Sequence, residues 1–339
     1  MPVFPTCDFP LLDRSEAIDL VRSAVGRREP FSLVRLGDGE AVVLSYGARL
    51  SLEDLAYLHG HWGSYGVTLG SIAEVSQDLH KAIRNADLVG VRDDILNVDM
   101  KPDLLDRPGS EVRDFVASSF RMRDDERKSL SASGARRLAL LHQVLSHIEW
   151  SSWQRFCSAW IHWDLLTTGA LEAILKTVST VGLVTARPEL EYMVTHRFEV
   201  KTTTITVPDK FIEAPESDAG RHVPDRYHTI REDLTFPEGT VVLVGAGIPG
   251  KVYCNWLKES GCIAIDVGSV FDAWVGKASR PLVLQSRFGV AGGNRVPLDL
   301  QLRVAALTDH RRIVPRWKTS ESRSRAQSNS IVSQAVTTK

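Results

Sequence analysis

The chain has 339 residues, 43% of them apolar, enough to bury a sizeable core in one large or two ordinary domains. A net charge of −1 supplies no overall basic field for nucleic acid or an anionic membrane surface. There is no apolar run long enough to span a bilayer and no basic-then-apolar start, so neither a membrane helix nor a secretion signal is expected.

In chain order, residues 13–27 read as a helix with an apolar stripe of Ile18, Leu20, Val21 and Val25. Residues 31–36 form an apolar strand that runs into Gly37-Asp38-Gly39-Glu40. Glycines let the backbone turn sharply there, so that the two carboxylates point to one place. Hard divalent cations take oxygen ligands, and Mg²⁺ or Mn²⁺ is commonly held by one or two carboxylates plus diphosphate oxygens. The same four residues also suit a plain strand-to-helix turn, with Asp38 capping a helix over 40–46 and Glu40 favouring its N-terminal dipole. Helices follow at 51–60 and 72–85, then a short strand at 88–91 ending in Arg92-Asp93-Asp94. Residues 100–133 are charged and weakly periodic, and 100–137 is read as a helical insertion. Residues 134–150 carry leucines at helical spacing. Strands are expected at 156–161 and 181–185, each followed by a helix, then a strand at 202–207 and a helix at 225–234.

The next unit is the richest in glycine. A strand at 241–244 enters Gly245-Ala-Gly-Ile-Pro-Gly-Lys251, a helix starts near Pro249 or Gly250, and a strand at 262–266 follows. Proline suits a first helical turn, where its missing N–H costs nothing. A helix between two apolar strands implies a right-handed crossover. Free backbone N–H groups at that helix start would receive a phosphate, and Lys251 would add a charge. Gly245, Gly247 and Gly250 satisfy G-x-G-x-x-G, and Asp266 lies near where a ribose-binding acid would sit. They also satisfy G-x-x-x-x-G-K, but Val252 replaces the hydroxyl that a P-loop needs for Mg²⁺, which argues against an NTPase. A third reading is a glycine turn that lets helix and strand pack closely.

Three stretches, Arg35-Leu-Gly-Asp-Gly-Glu40, Val244-Gly-Ala-Gly-Ile-Pro-Gly-Lys251 and Ala264-Ile-Asp-Val-Gly-Ser-Val-Phe-Asp-Ala-Trp274, together resemble the GT-D-type glycosyltransferases. These are bacterial proteins with a Rossmann-like fold, long grouped under a domain of unknown function. The resemblance covers residues 14–285 in the same order, apart from residues 100–137, which match nothing in it. It implies that Asp38 and Glu40 bind a divalent metal, Mn²⁺ or Mg²⁺, with the diphosphate of a nucleotide sugar. It also implies a cytoplasmic enzyme that builds surface polysaccharide or protein-linked glycan.

The expected fold is α/β and Rossmann-like, a mainly parallel sheet with helices on both faces, of the GT-D type. One domain is expected over 1–317, with 318–339 a disordered polar tail. In a parallel sheet ligands bind beyond the carboxyl ends of the strands. That rule gathers Asp38 and Glu40, Arg92 to Asp94, His162 and Trp163, Thr185 and Arg187, the 245–251 loop, and Gly268 to Asp272.

The expected reaction is transfer of a sugar from a nucleotide-diphosphate donor, with UDP as carrier, to a glycan or glycoconjugate acceptor. Asp38, Glu40 and Asp272 are the candidate catalytic residues, Asp272 as acceptor base or as a helix cap. Arg35, His162, Arg187, Gly245, Gly247, Gly250, Lys251 and Asp266 are the candidate substrate-binding residues. Arg187 could instead pair with Glu189 or Glu191, and His162 could be a satisfied core histidine. Two alternatives stand beside this: an NAD(P)-dependent oxidoreductase using the same loop and Asp266, and a non-catalytic nucleotide-binding module. The arginines at 121–127 and 311–312 are interleaved with acids or isolated, which suits a solvated face rather than nucleic acid. Cys7, Cys157, Cys254 and Cys262 have no metal-ligand spacing, and reduced thiols are expected.

Overall fold

A computed structural model describes residues 10–46, 50–62, 67–101, 103–122, 124–209 and 221–275. The first helix, α1 (Arg14–Arg27), starts where its capping residue dictates. The Asp13 carboxylate accepts from the Glu16 N–H at 2.9 Å while Glu16 accepts from the Asp13 N–H at 2.8 Å, a reciprocal capping box. Next come β1 (Phe31–Arg35), α2 (Asp38–Leu44), α3 (Leu52–Trp62), α4 (Leu69–Asn85) and β2 (Leu88–Val91). The charged stretch folds as α5 (Gly109–Ser119) and α6 (Asp124–Ser129), ahead of α7 (Ala132–Leu145). Then follow β3 (Arg155–Ser158), α8 (Ile161–Thr167), α9 (Ala170–Leu175), β4 (Thr180–Thr185), α10 (Leu190–Phe198) and β5 (Lys201–Thr206). The last elements are α11 (Tyr227–Asp233), β6 (Val241–Gly245), α12 (Pro249–Glu259), β7 (Ile263–Asp266) and α13 (Val270–Trp274). The chain divides into two units between Phe271 and Asp272.

The seven strands form one sheet in the order β3-β2-β1-β7-β6-β4-β5, and every pairing is parallel. The apolar runs that read as strands without alternation are buried on both faces, as parallel strands require: β2, β7 and most of β1 and β6 have no exposed residue. Helices α4 and α12 pack together over one face of the sheet, and α1 packs against α8 and α9. Connections leaving β4 and β6 run in opposite directions, β4 outward to β5 and β6 inward to β7. The carboxyl ends of these two neighbours therefore flank a topological switch point, where open α/β sheets hold ligands.

Two boundaries differ from the sequence expectation, each for a local reason. Asp38 opens α2 and does not cap it; Gly37 is the capping residue, in extended backbone. The third strand ends at Ser158, because Ser158 Oγ accepts from the Trp160 N–H and the chain turns into α8 at Ile161. The charged 100–137 region buries Leu104, Leu105, Val112, Val116 and Phe120, and α5 packs on α7, which packs on α2. The charges of α5 lie on its exposed side, away from Val112 and Val116. The polar stretch 318–339 lies outside the described residues.

Candidate functional site

Glu40 sits in the first turn of α2, and both of its oxygens are used. One accepts from the Gly37 N–H at 2.8 Å, satisfying an otherwise orphaned helix donor. The other meets the Lys251 ammonium at 2.9 Å. Lys251 comes from the first turn of α12 and is buried, as is Glu40. Its Nζ also lies 3.3 Å from Asp266 Oδ2 and donates to the Gly247 carbonyl at 3.1 Å. Three oxygens thus surround an ammonium that has three protons to offer.

Asp266 ends β7 and carries the network to Arg35, at the end of β1. Arg35 Nη2 donates to Asp266 Oδ1 at 3.1 Å, and Nε donates to the Asp266 carbonyl at 3.0 Å. Nη1 reaches the Ala159 carbonyl at 3.3 Å and His162 Nδ1 at 2.9 Å. His162 Nδ1 also lies 3.1 Å from the Ala159 carbonyl, so it sits between a guanidinium donor and a carbonyl acceptor. Arg35 passes through a slot between two glycines: a Cβ on Gly90 would lie 2.9 Å from its Cγ, and one on Gly268 would lie 2.1 Å from Nη2.

Two cations and two carboxylates therefore neutralise one another beneath the rim. Burial pushes the Asp266 carboxyl up, but Arg35 and Lys251 outweigh it and hold it below the ordinary carboxylate value. Burial pushes the Lys251 ammonium down, but Asp266 and Glu40 outweigh it and hold it above the ordinary lysine value.

Asp38 is different. Its side chain is 39% exposed and pairs with Arg137 of α7, whose Nε lies 3.4 Å from Oδ2. The Arg137 guanidinium lies over the Tyr57 ring of α3, 4.4 Å from the centroid. A Cβ on Gly39 would sit 2.8 Å from the Tyr57 hydroxyl and 3.4 Å from the Ile248 side chain. The Asp38 turn is thus wedged between α3 and the glycine loop, and only glycine fits at position 39.

The three loop glycines divide by role. At Gly245 a Cβ would collide with Phe271 at 2.4 Å, and at Gly250 it would press on Val244 and Ala246 at 3.2 and 3.3 Å. Those two are packing glycines. Gly247 has φ +63°, in the left-handed region, and nothing lies within 4 Å of its would-be Cβ. The backbone at Gly247 is open to approach.

Elsewhere on the rim the charges are matched. Arg92, after β2, donates from Nε to Asp94 at 2.6 Å, faces Glu126 at 3.6 Å and stacks on Trp160 at 5.3 Å. Burial would lower its pKa, but Asp94 outweighs burial and raises it. Arg187, after β4, pairs with Asp209 through both Nη nitrogens, Nη2 at 3.2 Å, and not with Glu189 or Glu191.

Of the expected site residues, the structure gathers Arg35, Glu40, His162, Lys251 and Asp266 into one buried cluster. Asp38 and Gly247 flank its accessible edge, Arg187 lies after β4, and Asp272 is in the first turn of α13, the first residue of the second unit. Two of these residues are more enclosed than a rim position implies. Lys251 is enclosed by its own chain and does not face the rim, where a phosphate contact was expected of it. Asp266 is 2% exposed and paired with both Arg35 and Lys251. Arg137 and Tyr57 were not foreseen. Arg137 is separated from Asp38 by 99 residues, and no local spacing signals that pairing.

A divalent ion fits this corner in part. Asp38 offers an accessible carboxylate, whereas Glu40 has both oxygens committed. Among the described residues no three His, Cys, Asp or Glu side chains are grouped to hold a metal unaided. That donor set suits Mg²⁺ or Mn²⁺ bound by one carboxylate together with substrate phosphates.

The chain is similar to two solved structures. One is described as "The highly conserved domain of unknown function 1792 has a distinct glycosyltransferase fold", the other as a selenomethionine-substituted structure of the same domain. Each is 12% identical, with TM-scores of 0.47 and 0.49, and 88% of this chain aligns with 91% of theirs. No curated protein matches. The model of the GT-D fold-like domain matches residues 12–123 and 130–274, well over half of the sequence, and spans both the Asp38 turn and the Gly247 loop. The chain belongs to the GT-D fold-like domain family.

Proposed function

We propose that the protein transfers a sugar from a nucleoside-diphosphate donor, with UDP the expected carrier, to a glycan or glycoconjugate acceptor in surface polysaccharide or glycoprotein synthesis. One juxtaposition carries the reading. An accessible carboxylate, Asp38, and an open stretch of backbone, Gly247, lie beyond the carboxyl ends of strands in one parallel sheet, on segments in contact through Gly39 and Ile248. The open backbone at Gly247, just before α12, suits a phosphate, and Asp38 suits a divalent ion shared with it. When bound, Mn²⁺ or Mg²⁺ would neutralise charge growing on the leaving diphosphate. Asp38 is the residue proposed to hold that ion. Glu40, the second acid of the turn, would reach it only on releasing Lys251 or the Gly37 N–H. The buried cluster of Arg35, Asp266, Lys251 and Glu40 holds the two loops at fixed separation.

Thermal shift with UDP, GDP and dTDP, each with and without Mn²⁺, and with NADH in the absence of metal, tests this. Stabilisation follows ligand occupancy, RT ln(1 + [L]/Kd). A nucleoside diphosphate is expected to raise Tm only with Mn²⁺, and Asp38→Asn is expected to abolish that rise. Stabilisation by NADH that survives Asp38→Asn would favour the oxidoreductase. A nucleotide response without hydrolysis or transfer from the matching donor sugars would leave a nucleotide-binding module.

A further inference from the structure

We infer that Arg137 is a donor-binding residue, whose guanidinium is stored on Asp38 and Tyr57 and turned toward the diphosphate when the donor binds. This deepens the glycosyltransferase reading and rests on it.

The cations placed near the rim separate into two kinds. Arg35 is matched to Asp266, Arg92 to Asp94, Arg187 to Asp209 and Lys251 to Glu40, each by close contacts to a carboxylate. Arg137 touches Asp38 through Nε alone, at 3.4 Å, and neither of its Nη nitrogens has a hydrogen-bond partner among the described residues. It is nevertheless held in place, 13% exposed, with its plane over Tyr57. A guanidinium fixed by a ring face and unpaired at its fork is prepared to bind an oxyanion through two parallel N–H donors.

The location supplies the trigger. A divalent ion and Arg137 compete for the same carboxylate. When Asp38 shares its charge with the ion, its hold on Nε weakens, while the stacking on Tyr57, which depends on the ring and not on Asp38, persists. The guanidinium, its fork unpaired from the start, is then free to turn toward phosphates that would share the ion. The supports converge on this point from separate elements: α7 brings Arg137, α3 brings Tyr57, and α2 brings Asp38. Helix α7 packs directly on α2, so the arrangement does not depend on loop placement.

Isothermal titration of native protein with UDP, GDP and dTDP in the presence of Mn²⁺ comes first; binding of none of them overturns the parent reading, whatever Arg137 does. With the nucleotide that binds, Arg137→Ala is expected to weaken the diphosphate by about tenfold to a hundredfold, the loss of one charge-assisted pair of hydrogen bonds. The corresponding monophosphate is expected to lose much less, and Arg137→Lys, which keeps the charge but not the fork, to recover only part of the affinity. An unchanged diphosphate affinity in Arg137→Ala overturns the inference and leaves the parent reading standing. Equal losses for nucleoside, monophosphate and diphosphate also overturn it, since they assign Arg137 to general support of the pocket. Should Arg137→Ala fail to fold, Arg137→Gln is judged by the same two comparisons.

Discussion

Lys251 has almost no access to water, and it stays charged because three oxygens surround it. Removing such a partner leaves uncompensated charge in a region of low dielectric, which costs more than the intact pair contributes. Lys251→Met leaves Asp266 with Arg35 and leaves Glu40 with the Gly37 N–H and no cation. Urea denaturation is expected to show a loss of about 3–5 kcal/mol with an unchanged m-value. A loss within the range of surface substitutions would mean that water reaches the cluster. His162 belongs to the same network, its Nδ1 beside both Arg35 Nη1 and the Ala159 carbonyl.

At the level of elements, the glycine loop between β6 and α12 separates packing from access. Gly245→Ala forces a Cβ into Phe271, and overpacking of this kind costs about 1–3 kcal/mol. Gly247→Ala meets no atom but must hold a positive φ, which costs about 1–2 kcal/mol in the left-handed region. The two variants are expected to differ in kind. Gly245→Ala should lower Tm by displacing the start of α13 from β6. Gly247→Ala should lose nucleotide affinity out of proportion to its Tm, because the added methyl projects into the open space where phosphate is proposed to approach. Nucleotide titrations set beside melting curves distinguish them, and equal effects on both quantities would count against an open phosphate loop.

The whole molecule has a built-in acid sensitivity away from the rim. His222 is buried against Tyr253, with Nε2 2.8 Å from the hydroxyl. Burial, and then the nearby Arg226, bring its pKa down to about 3. The unfolded chain therefore binds a proton at His222 from about pH 6.5 downward, while the folded one refuses it until about pH 3. The contribution is fully present above the unfolded value and is lost as pH falls toward the folded one, with a slope of up to about 1.4 kcal/mol per pH unit. Asp266 adds to this only lower down: its folded pKa lies beneath the ordinary 3.8, so its stabilisation is kept above 3.8 and lost through the lower folded value. Denaturation measured from pH 7 to 4 is expected to show the histidine slope in the native protein and a shallower one in His222→Gln. Parallel slopes would place the acid sensitivity elsewhere.

What the sequence determined by itself was local: the alternation of apolar runs and periodic segments, the parallel sheet, the turn at Gly37 to Glu40 and the glycine loop at 245–251. Those features follow from the hydrophobic period and from backbone freedom at glycine, and both are properties of a few consecutive residues. The charged 100–137 stretch could be read as helical but not placed, because its buried residues are too sparse to show a helical stripe until α7 and α2 provide the surface they cover. Charge pairing lay equally beyond reach. Asp266 looked like a ribose ligand and Lys251 like a phosphate ligand, yet Asp266 pairs with Arg35 across 231 residues, and both are spent holding the sheet's rim together. A charge is neutralised by whatever the fold brings within a few ångströms of it, so only the tertiary structure could decide which acids and cations remain for a substrate.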